Sequence, residues 1–431
     1  MSVLADRIRG IVAPRVVGAD PCVGPAGSGG HTGPPLPEFR EQIAAILGGA
    51  WQVDTFVVDR RWEPSALHGR ERIGALAERL EQASGDAPLF AGGAPARPPF
   101  VFFDLETTGL SGGAGTLAFL VGCGWFDADG AFVTRQFLLA RHADERVLLE
   151  AVGEALSRAG ALVSFNGKSF DAPLLEGRFL FHRLAWRGRE MPHVDVLHPA
   201  RRFWKPRGSA AIQSDGCSLQ ALERQIVGAR RVGDVPGFEI PGRYFQFIRS
   251  GDARPLEAVL EHNRLDLLTL AALTSRLLHL ARTGPDAAAD AREALALGCV
   301  YMRGGLDDRA RDSFRRAIER CRSPHGAYDP VRIDALRALA LACRRARRHD
   351  EAAAGWRELV EMRGCPAPIA REAAEALAIH HEHRVRDLVT AKAFALRNLE
   401  EGTSLEWMNA ARYRLERIER KLEVRSLKFE V

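Results

Sequence analysis

The chain has 431 residues, 46% hydrophobic and 27% charged, a composition that fits a globular protein of two or three domains. No run approaches the ~20 apolar residues a membrane span needs, and Met1–Gly10 carries Asp6, Arg7 and Arg9 with no apolar stretch behind them, so neither an anchor nor a secretory leader is expected. Seven cysteines without a Cys-x-x-Cys pair speak against a disulfide framework and for the cytoplasm, and a net charge of +5 permits nucleic-acid binding without demanding it.

Residues 1–36 are rich in Gly and Pro, lack periodicity and are expected to be disordered. Residues 37–98 read as a small accessory region: an amphipathic stretch at Phe39–Leu47, a strand-like Phe56-Val57-Val58, and a linker at Ala91–Pro99. From 99 to 283 strands and helices alternate. The expected strands are Phe100–Phe103, Leu117–Trp125, Ala131–Leu139, Ala161–Phe165 and His193–Leu197. The expected helices are Glu145–Arg158, Ala172–His182, Leu219–Gln225, Pro255–Glu261 and Asn263–Leu280. The first three strands follow one another closely and suggest an antiparallel meander, while the later ones are separated by helices, as in crossover units. A mixed sheet with helices packed against it is the expected fold.

Residues 286–431 read as helix throughout, and an internal repeat emerges. Leu297, Gly298, Tyr301, Ala310, Phe314 and Ala317 follow tetratricopeptide spacing, and Leu339, Ala340, Cys343, Ala352, Trp356 and Leu359 repeat it 42 residues on. Leu377, Ala378, His381, Ala391 and Ala395 follow more loosely. Small residues at fixed places let paired helices approach, and the aromatics fill the space between neighbours. An ordinary Ala-rich bundle is the plainer alternative.

Three motifs carry chemistry. Asp104 and Glu106 end the first strand of the alternating region, and residues two apart point to the same face. Two like charges leaving a core strand together are costly, and a hard divalent cation would relieve them. Asp171, in Asn166-Gly167-Lys168-Ser169-Phe170-Asp171, opens a helix, where N-capping alone would also justify it. His262 and Asp266 stand one helical turn apart, a spacing equally suited to a surface hydrogen bond.

Taken in order, Asp-x-Glu on a first strand, Asn-x-x-x-Phe-Asp after a later one and His-x-x-x-Asp on a final helix resemble the DEDD 3′→5′ exonuclease superfamily, which has a ribonuclease-H-like fold. His193-Val194-Asp195-Val196-Leu197 and Cys217-Ser218-Leu219-Gln220-Ala221-Leu222 resemble its connecting strand and Ser-Leu helix. Within it, Ser164–Pro173, Asp234-Val235-Pro236-Gly237 with Ile240-Pro241, and His262-Asn263 before Asp266 are most similar to the YprB-like group. One departure stands out: superfamily members place Tyr four or His five residues before the last Asp, and here His occupies the Tyr spacing.

The resemblance implies two-metal phosphodiester hydrolysis. Asp104, Glu106, Asp171 and Asp266 would hold two Mg2+ or Mn2+ ions about 3.5–4 Å apart, with His262 orienting or deprotonating the attacking water. Thr107, Thr108 and Gly109 resemble the loop that approaches a nucleic-acid 3′ end, and Asn166 and Lys168 are expected to bind substrate, Lys168 by meeting a phosphate. Arg202 and Lys205 lie in Arg201-Arg202-Phe203-Trp204-Lys205-Pro206-Arg207, which interleaves cations and aromatics as single-strand-binding surfaces do; a solvated helix end is the alternative. Ser111–Gly115 lacks the Lys-Ser/Thr of a phosphate loop, and His380, His381 and His383 lack an accompanying metal-binding frame. The expected protein is therefore a metal-dependent 3′→5′ exonuclease on single-stranded DNA or RNA, with helical repeats that recruit a protein partner. The alternatives are a non-cutting nucleic-acid-binding scaffold and a structure-selective endonuclease.

Overall fold

The computed structural model describes residues 36–109, 115–205, 216–321, 328–400 and 405–427. The segment expected to be disordered lies outside them as far as residue 35, as do residues 110–114 of the Gly-rich loop and Pro206-Arg207 of the basic stretch. The chain divides into a unit ending at Phe39 and a unit from Arg40 to Val431. The second consists of a mixed sheet flanked by helices, followed by an all-helical region.

Helix α1 (Leu36–Leu47) comes first, then β1 (Ala50–Gln52), β2 (Thr55–Trp62), the short pair β3 (Leu67–His68) and β4 (Glu71–Arg72), and α2 (Ile73–Gln82). The segment of alternating strands and helices supplies β5 (Phe100–Thr107), β6 (Ala118–Phe126), β7 (Phe132–Leu138), α3 (Glu145–Ser157), β8 (Ala161–Ser164), α4 (Asp171–Phe181), β9 (His193–Asp195), α5 (Leu197–Trp204), α6 (Leu219–Leu222), α7 (Ile240–Ser250) and α8 (Arg254–Thr283). The main sheet runs β1-β2-β7-β6-β5-β8-β9. Strands β5, β6 and β7 form the expected antiparallel meander, and β8 and β9 add in parallel. The near-continuous apolar run Phe100–Phe103 reflects a central strand buried on both faces.

Three differences from the sequence reading have physical causes. The stretch around Phe56 is no isolated unit: β2 pairs with β7 in the register Phe56↔Leu138 and extends the main sheet. That pairing joins residues about 80 positions apart, so no local pattern announces it. The expected strand His193–Leu197 stops at Asp195, and its last residue opens helix α5. Finally, the two helices expected on either side of His262 are one 30-residue helix, because Leu256, Val259, Leu260, His262, Asn263 and Leu267 all lie buried along it.

The C-terminal helices are α9 (Ala291–Arg303), α10 (Asp307–Arg320), α11 (Pro330–Arg345), α12 (His349–Glu361), α13 (Ala367–His380), α14 (Leu388–Glu400) and α15 (Leu405–Leu427), each packed on its successor. The small-against-large pattern is visible in the packing: a Cβ on Gly298 would sit 2.4 Å from the Phe314 ring, so only glycine lets α9 and α10 approach this closely. The same hydrophobic core runs without interruption from Phe102, Val163 and Leu277 through Trp204 to Leu297, Tyr301 and Phe314.

Candidate active site

Strand β5 delivers the first two acids. Asp104 and Glu106 lie on the same face, half-buried, while Phe103 and Leu105 point into the protein. Burial pushes the Asp104 carboxyl well above the usual range, and the charges of Asp266, Glu106 and Asp171 push it further, while a hydrogen bond from Asn263 opposes them. Burial likewise raises Glu106 well above its ordinary value, with Asp266, Asp171 and Asp234 adding to it and Arg231 opposing.

Asp171 is the first residue of α4, yet it does not cap the helix, since no side chain accepts a hydrogen bond there. The turn before it is tight. Asn166 takes φ +70°, and a Cβ on Gly167 would lie 2.3 Å from Ser164 Oγ and 3.0 Å from Asp171 Oδ2. Asp171 is 6% exposed, and burial together with the charge of Asp195 pushes its carboxyl up to about 7. Among the described residues, no hydrogen-bond donor reaches the carboxylates of Glu106 or Asp171. Asp195 is satisfied differently, by the backbone N–H groups of Asn166, Lys168 and Leu197.

Helix α8 brings the remaining groups. Asn263, fully buried, donates through Nδ2 to Asp104 Oδ2 at 2.8 Å, and its Oδ1 accepts from Gln136 at 2.9 Å. His262 Nδ1 lies 2.7 Å from Asp234 Oδ1, and its Nε2 lies 3.5 Å from Asp266 Oδ2. The Asp234 carboxylate can only accept, so Nδ1 donates to it, and Nε2 is left facing Asp266. Arg231 donates to Asp266 Oδ1 at 2.5 Å, to Glu223 at 2.6 Å and to Asp234 at 3.3 Å, with its side chain 6% exposed. Glu223 points inward from a π-type turn, Glu223–Val227, that follows α6 and ends at Gly228 with φ +79°.

The four expected acids thus act on one another's charge, and His262 stands beside the last of them. The softer expectations fare unevenly. Thr107 donates its hydroxyl to the Gly109 carbonyl and Thr108 accepts from the Leu117 N–H, so both side chains hold the turn after β5. Asn166 and Lys168 are exposed beside Asp195. Arg202 is half-buried and Lys205 exposed at the end of α5. The aromatics between them are not a stacking surface: Phe203 and Trp204 are buried in the core, and Trp204 Nε1 donates to Glu293 at 2.8 Å. An eight-residue amphipathic helix turns those two rings inward and leaves Arg201 and Lys205 outside. Nothing in the sequence marks Arg231 or Glu223, and Asp234 and Asn263 stand in it only within the stretches similar to the YprB-like group, without a role in the site. The bonds that tie Asp234, Arg231 and Asn263 to His262, Asp266 and Asp104 span 28, 35 and 159 residues, and the Asp234 loop has no periodicity to mark it.

Among the described residues, no three His, Cys, Asp or Glu side chains close into a ready-made cation cage. The donor set nevertheless suits a hard divalent cation: four recessed carboxylates, two of them without donors. The guanidinium of Arg231 already offsets part of that charge at Asp266.

Residues 101–278 match the RNase_H superfamily model, and the mixed sheet and helices over this segment show a nuclease-like domain of that class. The chain is 32% identical over 305 residues, 70% of each protein, to the Bacillus subtilis (strain 168) protein described as uncharacterized protein YprB. It belongs to the family of that protein. A solved family B DNA polymerase from Pyrobaculum calidifontis is similar at 11% identity and a TM-score of 0.36, covering 84% of this chain and 66% of the polymerase, just under two thirds of its length. Among the described residues no helix is long and apolar enough to cross a membrane.

Proposed function

We propose that the chain is a metal-dependent 3′→5′ exonuclease of the DEDD type acting on single-stranded nucleic acid. The observation that carries this reading is the pair Glu106 and Asp171, recessed carboxylates without hydrogen-bond donors, set beside Asp104 and Asp266. Asp104, Glu106, Asp171 and Asp266 would hold two divalent cations, Mg2+ or Mn2+. When bound, these supply the Lewis acidity that activates water and offsets charge on the reacting phosphate.

The chain's own residues do the rest. Asn263 fixes one oxygen of Asp104 and leaves the other available. Asp234 holds the His262 ring so that Nε2 can accept a proton from water beside Asp266. Lys168 and Arg202 are the cations placed to meet the substrate's phosphates, with the backbone of Thr107, Thr108 and Gly109 shaping the approach. The helices over 286–431 make up a tetratricopeptide-like repeat domain behind a nuclease domain over 99–283, and the later repeats offer a protein partner its docking surface.

A second reading, a scaffold that binds nucleic acid without cutting, is favoured by one observation: Arg231 sits on Asp266 as a counter-ion. A time course with 5′-labelled single-stranded RNA and DNA, in Mg2+, Mn2+ or EDTA, separates the two. The exonuclease gives a metal-dependent ladder shortening from the 3′ end, which Asp104→Asn abolishes. Binding without cleavage in either metal gives the scaffold, and large internal fragments give an endonuclease.

A further inference from the structure

A cavity of about 560 Å³ opens where the nuclease-like segment meets the helical region. Lys168 and Arg202 line it from the sheet side, Arg303 at the end of α9 from the helical side, and Leu89 and Phe90 from the turn between them. Asp195 also lines it, and Lys168 stands three residues before Asp171, so the cavity lies beside the acid cluster. Both oxygens of Asp195 accept from the backbone N–H groups of Asn166, Lys168 and Leu197. Among the described residues, no carboxylate pairs with Lys168, Arg202 or Arg303.

Arg202 and Arg303 belong to different regions of the chain and yet line the same cavity as like charges. Two cations held together without a counter-ion are unfavourable unless an anion comes between them. The helices that carry them are tied to each other. Glu293 of α9 accepts from Trp204 Nε1 at 2.8 Å and from Arg276 at 2.7 Å, and Arg292 donates to the Lys205 carbonyl at 2.9 Å. A Cβ on Gly304 would meet Leu89 at 2.4 Å, so the turn and the end of α9 are in close contact. A cavity of this size suits a short stretch of one strand. Its cations suit phosphates, and Leu89 and Phe90 offer an apolar wall to bases.

We propose that this cavity is a subsite for the phosphate backbone of single-stranded nucleic acid leading to the acid cluster, with Arg303 of the helical region as its outer contact. The proposal rests on the nuclease reading of that cluster, and it makes the first helix of the C-terminal region part of the substrate path.

The test is fluorescence anisotropy with a 5′-labelled 20-nucleotide single strand and the matching duplex, in EDTA, over a range of salt. The full chain is compared with Arg303→Glu, Arg303→Ala, Arg303→Lys and a control, Arg420→Glu, which makes the same charge change on α15. Arg303→Glu is expected to weaken single-strand binding about tenfold, and Arg303→Ala to lower the salt slope by about 0.7, one phosphate contact. Arg303→Lys should restore most of the affinity, and Arg420→Glu should bind as wild type does. A benzophenone side chain introduced at position 303 should crosslink to the bound strand. Wild-type affinity and slope in both Arg303→Glu and Arg303→Ala, with wild type still binding and cutting from the 3′ end, would overturn this subsite alone. Equal loss in Arg420→Glu, or a duplex bound as tightly as the single strand, would also overturn it. Absence of both binding and cleavage in wild type would instead remove the nuclease reading, and the subsite with it.

Discussion

Gly122 stands opposite Asp104 in the β5–β6 register, and Asn263 reaches Asp104 by passing over it. A Cβ at position 122 would lie 2.1 Å from Asn263 Oδ1. Gly122→Ala must displace that amide, and in so packed a place we expect a destabilisation of about 1–3 kcal/mol by urea unfolding. The loss of cleavage should be larger than this loss of folded protein explains, because the hydrogen bond to Asp104 is lost with it. Asp171 makes a prediction in pH. Its carboxyl titrates at about 7 in the fold against an ordinary 3.8, so the folded chain binds a proton that the unfolded chain has released. Its ionisation therefore weakens the fold progressively as pH rises from about 4 to 7, and the full penalty stands above 7. In EDTA, Asp171→Asn should melt above wild type at pH 8, with the gap closing as pH falls through that window. A constant gap across the range would contradict the assignment.

At the scale of elements, the acid-bearing strand and helices were legible in the sequence because their signals are local. Asp104 and Glu106 share a face by strand period, and His262 and Asp266 share one by helical period. What surrounds them was not legible. Arg231 and Asp234 lie in a loop, β2 joins the sheet through β7, and Phe203 and Trp204 read as a stacking surface until α5 turned them into the core. Each depends on a long-range partner that local pattern cannot name. The junction of α5, α8 and α9 illustrates the consequence. Glu293 there is 4% exposed and accepts from Trp204, Arg276 and the Ala289 N–H. Glu293→Leu leaves three donors without their acceptor and should cost about 3 kcal/mol in chemical denaturation. If the sheet and the first helical pair fold as one unit, a single transition should shift as a whole.

For the whole molecule, the sheet and the first helices share one core, and the chemistry is gathered where β5, α4 and α8 meet. The burial that closes this core also holds four carboxylates close together, at an electrostatic cost that a bound cation would offset. A nuclease of this kind requires those four acids to take up a divalent cation. Titration calorimetry of Mn2+ into wild type, Asp104→Asn and Asp266→Asn tests this directly. We expect wild type to bind and each substitution to weaken binding at least ~10-fold, or about 1.4 kcal/mol. Identical isotherms for all three proteins, or no heat of binding in wild type, would contradict it.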